Sequence, residues 1–540
     1  MENTKVIGLD FGTLSARAIV VSSVDGTVYG DVSYPYPHGV ITGELPTGVP
    51  LPNGYALASA ADYREALFTL IREVVRQSKV SPQEIGGIGI AATTYTMVPC
   101  LEDGTALCEH EEFSREPMAY IKLWKHHGAQ SQAQRIQAMH KARHCLPVVE
   151  RYGGCVNCEW SMPKLLETYE EAPGLFRKTF RFCDLGEWLN WMLIGHPTNS
   201  MYTMGFKGMW APDLGFPADE VLEEMAPGFA QGLHQKFMGP PCGYDRPCGV
   251  LSPEAAKALG LPAGIAVATS MGDGSAPGVC IGANFPGAII ITLGTSIAMA
   301  FLRKKLTVLT GINGVVQDGI VPGYFSYDAG QPCAGDMLDW FVNRQVPASY
   351  WKAAGEQGIH AYLSSLAEQK QPWQNPLIVL DWWNGTRGIL NNNDLRGGVY
   401  GYSMETLPED IYGAMVQGMA CGSRKIIDHC ARNGIEFDRI ILCGGIAEKN
   451  PFIVRQYSNI LGREVSLAKC GQITALSAGI LAAAAATGMS VDEAVRQMAP
   501  SSFTTTQPDM SHREDYEALY ARWSRLHDLL STFPAAGGTD

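Results

Sequence analysis

The stretch Ile7-Gly8-Leu9-Asp10-Phe11-Gly12-Thr13-Leu14-Ser15-Ala16-Arg17-Ala18-Ile19-Val20-Val21 sets two β-rich apolar runs on either side of a short polar turn. That pattern predicts two strands joined by a tight turn. Gly12 lets the backbone approach an anion closely, Thr13 and Ser15 add hydroxyl donors, and Arg17 follows in the second strand. Asp10, at the end of the first strand, is placed to hold a cation's water shell. A polyphosphate with Mg²⁺ is the ligand that suits this turn.

The plan recurs in Ala288-Ile289-Ile290-Ile291-Thr292-Leu293-Gly294-Thr295-Ser296-Ile297-Ala298-Met299-Ala300, where Gly294, Thr295 and Ser296 form the turn. One phosphate turn in each half implies two similar domains gripping one nucleotide across a cleft, a pattern that resembles the actin, Hsp70 and sugar-kinase superfamily. Neither turn is a Walker A loop, because no Gly-Lys-Ser/Thr follows a glycine-rich run. Nor is either a dinucleotide fingerprint, since the turn leads into another strand and not a helix.

At 540 residues the chain exceeds one core. The expected division is an N-terminal domain over 1–283, a C-terminal domain over 284–487, and a helical tail over 488–540. The net charge of −13 argues against nucleic-acid and anionic-membrane partners. No charged start with an apolar core opens the chain, and the apolar runs are too short to span a bilayer, so a cytoplasmic location is expected. The fourteen cysteines are scattered and read as thiols of a reducing compartment. The lone Cys155-x-x-Cys158 lacks the second pair that a zinc site wants and reads as packing.

Around the turns, a helix is expected near 62–78, capped by Asp62 with Glu65 reaching back. Residues 109–181 read as helical, and 197–245 as a loop-rich lobe over a pocket. The strand from Ile85 to Ala91 leads into Thr93-Thr94-Tyr95, a plausible pocket wall beyond a carboxyl strand end. The adjacent His126 and His127 diverge on a helix, so neither is read as a metal ligand. A last helix is expected from Ser511, with a Ser511/Glu514 capping box and a docking stripe of Tyr516, Leu519, Tyr520 and Trp523.

Asp273, in Met271-Gly272-Asp273-Gly274-Ser275, is an acid among small residues just before the second turn. A carboxylate at the cleft can take the proton of a substrate hydroxyl as it attacks a γ-phosphate. Because such transition states are loose, an ordinary carboxylate pKa of about 3.9 is expected to suffice. Ile440-Ile441-Leu442-Cys443-Gly444-Gly445 ends a strand in two glycines against which a flat base can lie, with Asn450 at hand. The helix after Gln472, rich in small residues, fits close packing under a nucleotide. Lys207, beside glycines, suits either sugar hydroxyls or the charge of the transferring phosphoryl group, with a solvated surface lysine as the commoner case. Asp328 suits sugar hydroxyls from the opposite half, and Asp381 to Arg387 combines aromatics with polar heads, as sugar or base contacts or a packed loop do.

In this order, the first turn, Asp273, the second turn and Gly444-Gly445…Asn450 resemble the FGGY carbohydrate kinases, over residues 5 to 487. The segments Leu123-Trp124-Lys125-His126-His127, Arg151 to Cys155, Glu159 to Glu167 and Asp381 to Arg387 are similar to members that act on L-ribulose. The resemblance implies an α/β protein with two ribonuclease-H-like domains around a cleft, ATP and Mg²⁺ dependence, Asp273 as base, and Lys207 and Asp328 near the sugar. The implied reaction is phosphoryl transfer to the terminal hydroxyl of a ketopentose such as L-ribulose, and a homodimer is expected. The L-ribulose members usually carry Asp-Phe-Thr-Ala/Gly-Cys where this chain has Ala91 to Tyr95, and Glu where it has Asp328. The run before Lys207 differs too. These departures fall at the sugar pocket and none at the phosphates, which leaves D-ribulose, xylulose and polyols as alternative acceptors. A non-catalytic ATP-binding sugar sensor is the other alternative.

Overall fold

In the computed structural model, which describes residues 4–500 and 502–532, the opening stretch is an antiparallel hairpin. Strand β1 (Lys5–Phe11) pairs with β2 (Ser15–Ser22), Asp10 lying opposite Arg17. Residues 1–3, 501 and 533–540, at the outer ends of the expected N-terminal domain and within the expected tail, lie outside the described residues.

Every residue of β1 is buried. Its two faces meet different neighbours, which explains an apolar run with no polar alternation. Ile7, Leu9 and Phe11 share a core with Tyr63, Leu67, Leu70, Ile71 and Val74 of the helix Ala60–Ser78. Val6 faces the other way, into a core with Ala475, Ala478 and Ala482 of the helix Ile473–Thr487. The rest of the sheet is β3 (Val28–Pro35), β4 (Ile85–Ala92), β5 (Gly249–Val250), β6 (Ala266–Val267) and β7 (Met271–Gly272). Its order is β5-β6-β4-β1-β2-β3, with β7 also on β4. The second half repeats the arrangement with β8 (Ile289–Leu293), β9 (Ile297–Arg303), β10 (Gly314–Gln317), β11 (Phe325–Gln331), β12 (Ile440–Cys443), β13 (Val465–Ala468) and β14 (Phe503–Thr506). The order there is β10-β11-β9-β8-β12-β13-β14. In both sheets the central strand, β1 or β8, has an antiparallel hairpin partner on one side and a parallel strand, β4 or β12, on the other.

The helix Ile473–Thr487 follows β13 in the chain yet packs on β1 and β4 of the first sheet. The contact is possible because glycines face it: a Cβ on Gly8 would lie 2.0 Å from the Ala475 carbonyl oxygen, and one on Gly89 2.0 Å from that of Ala478. The small residues of this helix therefore serve contact between the two sheets. The last helix, Arg513–Leu530, docks as its stripe predicted, with Tyr516, Leu519 and Trp523 buried and the indole N–H of Trp523 donating to the Val379 carbonyl at 2.8 Å.

Four local readings differ. Asp62 lies inside its helix and does not cap it, because its carboxylate is taken by the backbone N–H of His38 at 3.0 Å and by His38 Nδ1 at 2.6 Å. Ahead of the last helix Asp509 accepts from the Ser511 N–H at 3.0 Å, so the chain is capped two residues earlier than expected. Residues 109–181 are broken into 3₁₀ turns and the helices Gln130–Arg143, Pro147–Arg151, Ser161–Glu171 and Pro173–Lys178. Within 197–245 stand the helices Met201–Phe206, Asp219–Met225 and Phe229–Lys236, whose Leu222, Phe229 and Leu233 enter a core of their own. Six to eight residues give too few turns for helical periodicity to show. All fourteen cysteines are free thiols.

Candidate active site

The carboxyl ends of three neighbouring strands converge. β1 ends at Asp10–Phe11, β4 at Ala92, and β7 pairs with Ala91–Ala92 and releases Asp273, whose N–H donates to the Ala92 carbonyl at 2.9 Å. Ligands of α/β sheets gather beyond such ends. Gly274 brings the segment against the second hairpin, where its Cβ would touch Ala298 at 3.6 Å. Asp273 thus stands between the first sheet and the second phosphate turn.

Burial raises the Asp273 pKa to about 7, and the negative charge of Asp10 adds to the rise. The ordinary value expected from the sequence is therefore corrected. Asp10 is itself lifted to about 6 by burial, against the pull of Arg17, whose guanidinium lies 3.3 Å away. Nearby, the buried hydroxyls of Tyr36 and Tyr63 have no hydrogen-bond partner among the described residues, and both are affected by the Asp273 charge. Two buried acids, the charge of one raising the other, beside unpartnered hydroxyls are a ligand set that suits a hydrated divalent cation. Among the described residues, the one group of three potential metal ligands is elsewhere, at His140, His144 and Glu150, around the helices Gln130–Arg143 and Pro147–Arg151.

The phosphate turns differ in detail from their sequence reading. The N–H of Gly12 donates to the Ser15 carbonyl at 3.1 Å and that of Gly294 to the Ser296 carbonyl at 3.0 Å. Both amides close their hairpins and do not point at a ligand. Hydroxyls remain: Thr295 is exposed, and Thr13 Oγ1 accepts from the Trp124 indole N–H at 3.0 Å, which leaves its own proton to donate. Ser15, Ser296 and Arg17 lie beside them in the same hairpins. At the end of β12, Gly444 has φ +96° and its Cβ would fall 2.5 Å from the Leu293 carbonyl oxygen, so only glycine fits there. Gly445 faces open space. The Asn450 side-chain amide donates to Ser364 Oγ at 2.8 Å, which leaves its carbonyl oxygen for a further partner.

The residues expected at the sugar come together from both halves. Lys207 is buried, its Nζ donating to the Asn313 carbonyl at 2.7 Å and lying 4.7 Å from the Trp160 ring centre and 5.1 Å from that of Tyr95. Burial lowers its pKa to about 8, against the attraction of Asp328. Asp328, on β11, is raised by burial and accepts from Asn313 Nδ2 at 3.4 Å. Tyr95 has φ +60°, an unusual conformation for a bulky residue, and its carbonyl accepts from Lys164 Nζ at 2.6 Å. Thr94 is buried beside it. His126 and His127 bond to Glu167 and Glu159 respectively, in line with structural roles. Sequence reasoning did not single out Lys164, Tyr36 or Tyr63. A buried lysine is legible only once its surroundings are known.

Family comparisons fit this geometry. Residues 5–280 match the N-terminal domain, and 289–486 the C-terminal domain, of the FGGY family of carbohydrate kinases. The ribulokinase of Geobacillus thermodenitrificans is 36% identical over 531 residues, spanning 97% of this chain and 94% of that protein. That of Halalkalibacterium halodurans is 35% identical over 536 residues, spanning 98% and 95%. Among solved structures, the xylulose kinase of Rhodospirillum rubrum superposes with TM-score 0.77 at 19% identity, covering 98% of this chain and 99% of its own. The gluconate kinase of Lactobacillus acidophilus does so with 0.79 at 16%, with the same coverage. These two share the fold.

Proposed function

The chain belongs to the FGGY family of carbohydrate kinases, and from that premise we propose that this sugar kinase transfers the γ-phosphoryl group of ATP to the terminal hydroxyl of L-ribulose, giving the 5-phosphate. The observation that carries the site assignment is the meeting of Asp273 with both halves of the cleft. In the proposed step the hydroxyl oxygen forms a bond to the γ-phosphorus as the bond to the bridging oxygen of ADP breaks, and Asp273 takes the hydroxyl proton. A base of pKa about 7 holds that proton well near neutral pH and is half ionised beforehand. Lys207 and Asp328 would orient the sugar hydroxyls, with Thr94 and Tyr95 as the wall that selects its shape.

Thr13, Ser15 and Arg17 on one side, and Thr295 and Ser296 on the other, would hold the phosphates at turns that Gly12 and Gly294 close and keep narrow, while Gly444, Gly445 and Asn450 receive the adenosine. Asp10 would hold Mg²⁺ through water, with Asp273 facing it. Bound there, the cation would neutralise phosphate charge and lower both acids' pKa values. A place in L-arabinose catabolism, a cytoplasmic setting and a homodimer complete the proposal. No helix among the described residues is long and apolar enough to cross a membrane.

The test is ADP release from Mg·ATP across L- and D-ribulose, L- and D-xylulose and glycerol, with Asp273→Ala as control. Turnover of L-ribulose, lost in the variant, is expected. Turnover of another sugar alone would reassign the acceptor, and activity surviving in Asp273→Ala would overturn the base.

A further inference from the structure

Arg387 takes no part in the chemistry above, yet its surroundings are unusual. It leaves the second half of the chain, in the loop after Ile378–Leu380, and reaches into the first. Its Nη2 lies 3.2 and 3.5 Å from the two carboxylate oxygens of Glu159, and only 20% and 11% of the two side chains are exposed. Its guanidinium lies 4.9 Å from the ring centre of Trp124. The same indole donates to Thr13 in the first phosphate turn. A second bond runs alongside, from Asn393 Nδ2 to Asn157 Oδ1 at 3.2 Å.

The loop is built to hold this reach. The Thr386 N–H donates to the Asn392 carbonyl at 2.9 Å, and the Asn392 N–H returns to Thr386 Oγ1 at 3.1 Å. On the other side, His127 Nε2 sits 3.2 Å from Glu159 Oε1. Burial disfavours the Glu159 charge, but Arg387, His127 and Lys164 outweigh it and bring its pKa to about 2, so the carboxylate is ionised throughout the working pH range. A charged, shielded pair with the guanidinium over an indole ring favours Arg over any other cation. The Arg387 charge also reaches Asp273, Asp328 and Lys207.

We propose that Arg387 is a positioning residue that clasps the two halves over the sugar and, through Trp124, links their closure to the Thr13 phosphate turn. The proposal rests on the kinase reading. With the clasp engaged, the sugar hydroxyl is held against the phosphate while water is kept out. Without it, the halves part more readily, and ATP is exposed to water as well as to sugar.

The experiment uses the full chain with Arg387→Met, Arg387→Lys, Glu159→Gln and the Arg387→Met/Glu159→Gln pair. ADP and sugar phosphate are counted separately, on whichever sugar the unaltered enzyme turns over, and the radius of gyration is measured by solution scattering without sugar. Arg387→Met is expected to lower kcat/KM by roughly 10- to 100-fold, to raise the ratio of ADP to sugar phosphate, and to enlarge the particle. The double variant should be no worse than Arg387→Met alone, and Arg387→Lys should restore part of the loss. A kcat/KM within twofold of the unaltered enzyme, an unchanged product ratio, or losses that add in the double variant would overturn the clasp. Failure of the kinase reading would appear differently, as absence of turnover in the unaltered enzyme, and the scattering comparison would still judge the clasp.

Discussion

Asp273, the proposed base, is a buried acid with a raised pKa, and that has two measurable consequences. Its folded pKa of about 7 exceeds the unfolded value of 3.8, so between those values the folded chain binds more protons and stability falls as pH rises. Above pH 7 the penalty is complete. Asp273→Asn should therefore raise the melting temperature of the ligand-free protein at pH 8, by an energy on the order of 1–3 kcal/mol, and leave it unchanged near pH 4. The same variant should lower kcat by roughly 10²- to 10⁴-fold. An unchanged melting temperature at pH 8 would contradict the buried-acid geometry. The residue was conspicuous in the sequence as an acid among glycines, but its pKa was not, because the rise comes from burial and from Asp10, some 260 positions away in the chain.

At the scale of elements, the helix Ile473–Thr487 and the strands beneath it depend on absent side chains. Gly8→Ala places a Cβ within 2.0 Å of the Ala475 carbonyl, backbone that cannot swing aside, and should destabilise the protein by more than about 2 kcal/mol in denaturant unfolding. Gly445→Ala meets nothing within 4 Å and should leave stability within about 0.5 kcal/mol while raising the KM for ATP. At the last helix, Trp523→Ala removes a buried indole and its hydrogen bond to Val379, and should cost about 3–5 kcal/mol. The hairpins and the docking stripe are readable because each spans a full period of its own pattern. The short helices of the 197–245 lobe are not, and the caps expected at Asp62 and Ser511 do not form because His38 occupies the Asp62 carboxylate and Asp509 caps the turn ahead of Ser511.

For the whole molecule, two sheets of one plan share a packed middle, and the proposed chemistry sits where they face each other. Adding sugar with a non-hydrolysable ATP analogue and Mg²⁺ should reduce the radius of gyration in solution scattering. Chelation with EDTA should stop turnover, with recovery on restoring Mg²⁺; turnover that persists under chelation would remove the metal from the proposal.

From the sequence alone came the paired hairpins, the strand ending in Gly444-Gly445, the acid at 273 and the family these imply, because each is a local pattern whose meaning needs only neighbours in the chain. Tertiary structure alone decided that Gly8 and Gly89 exist to admit the helix Ile473–Thr487, that Gly12 and Gly294 close their own turns, and that Asp10 and Asp273 share a raised pKa. It also decided that Arg387 pairs with Glu159 of the opposite half. Close approach, desolvation and charge coupling depend on distance in space, and apart from the two local turn closures the residues concerned lie hundreds of positions apart along the chain.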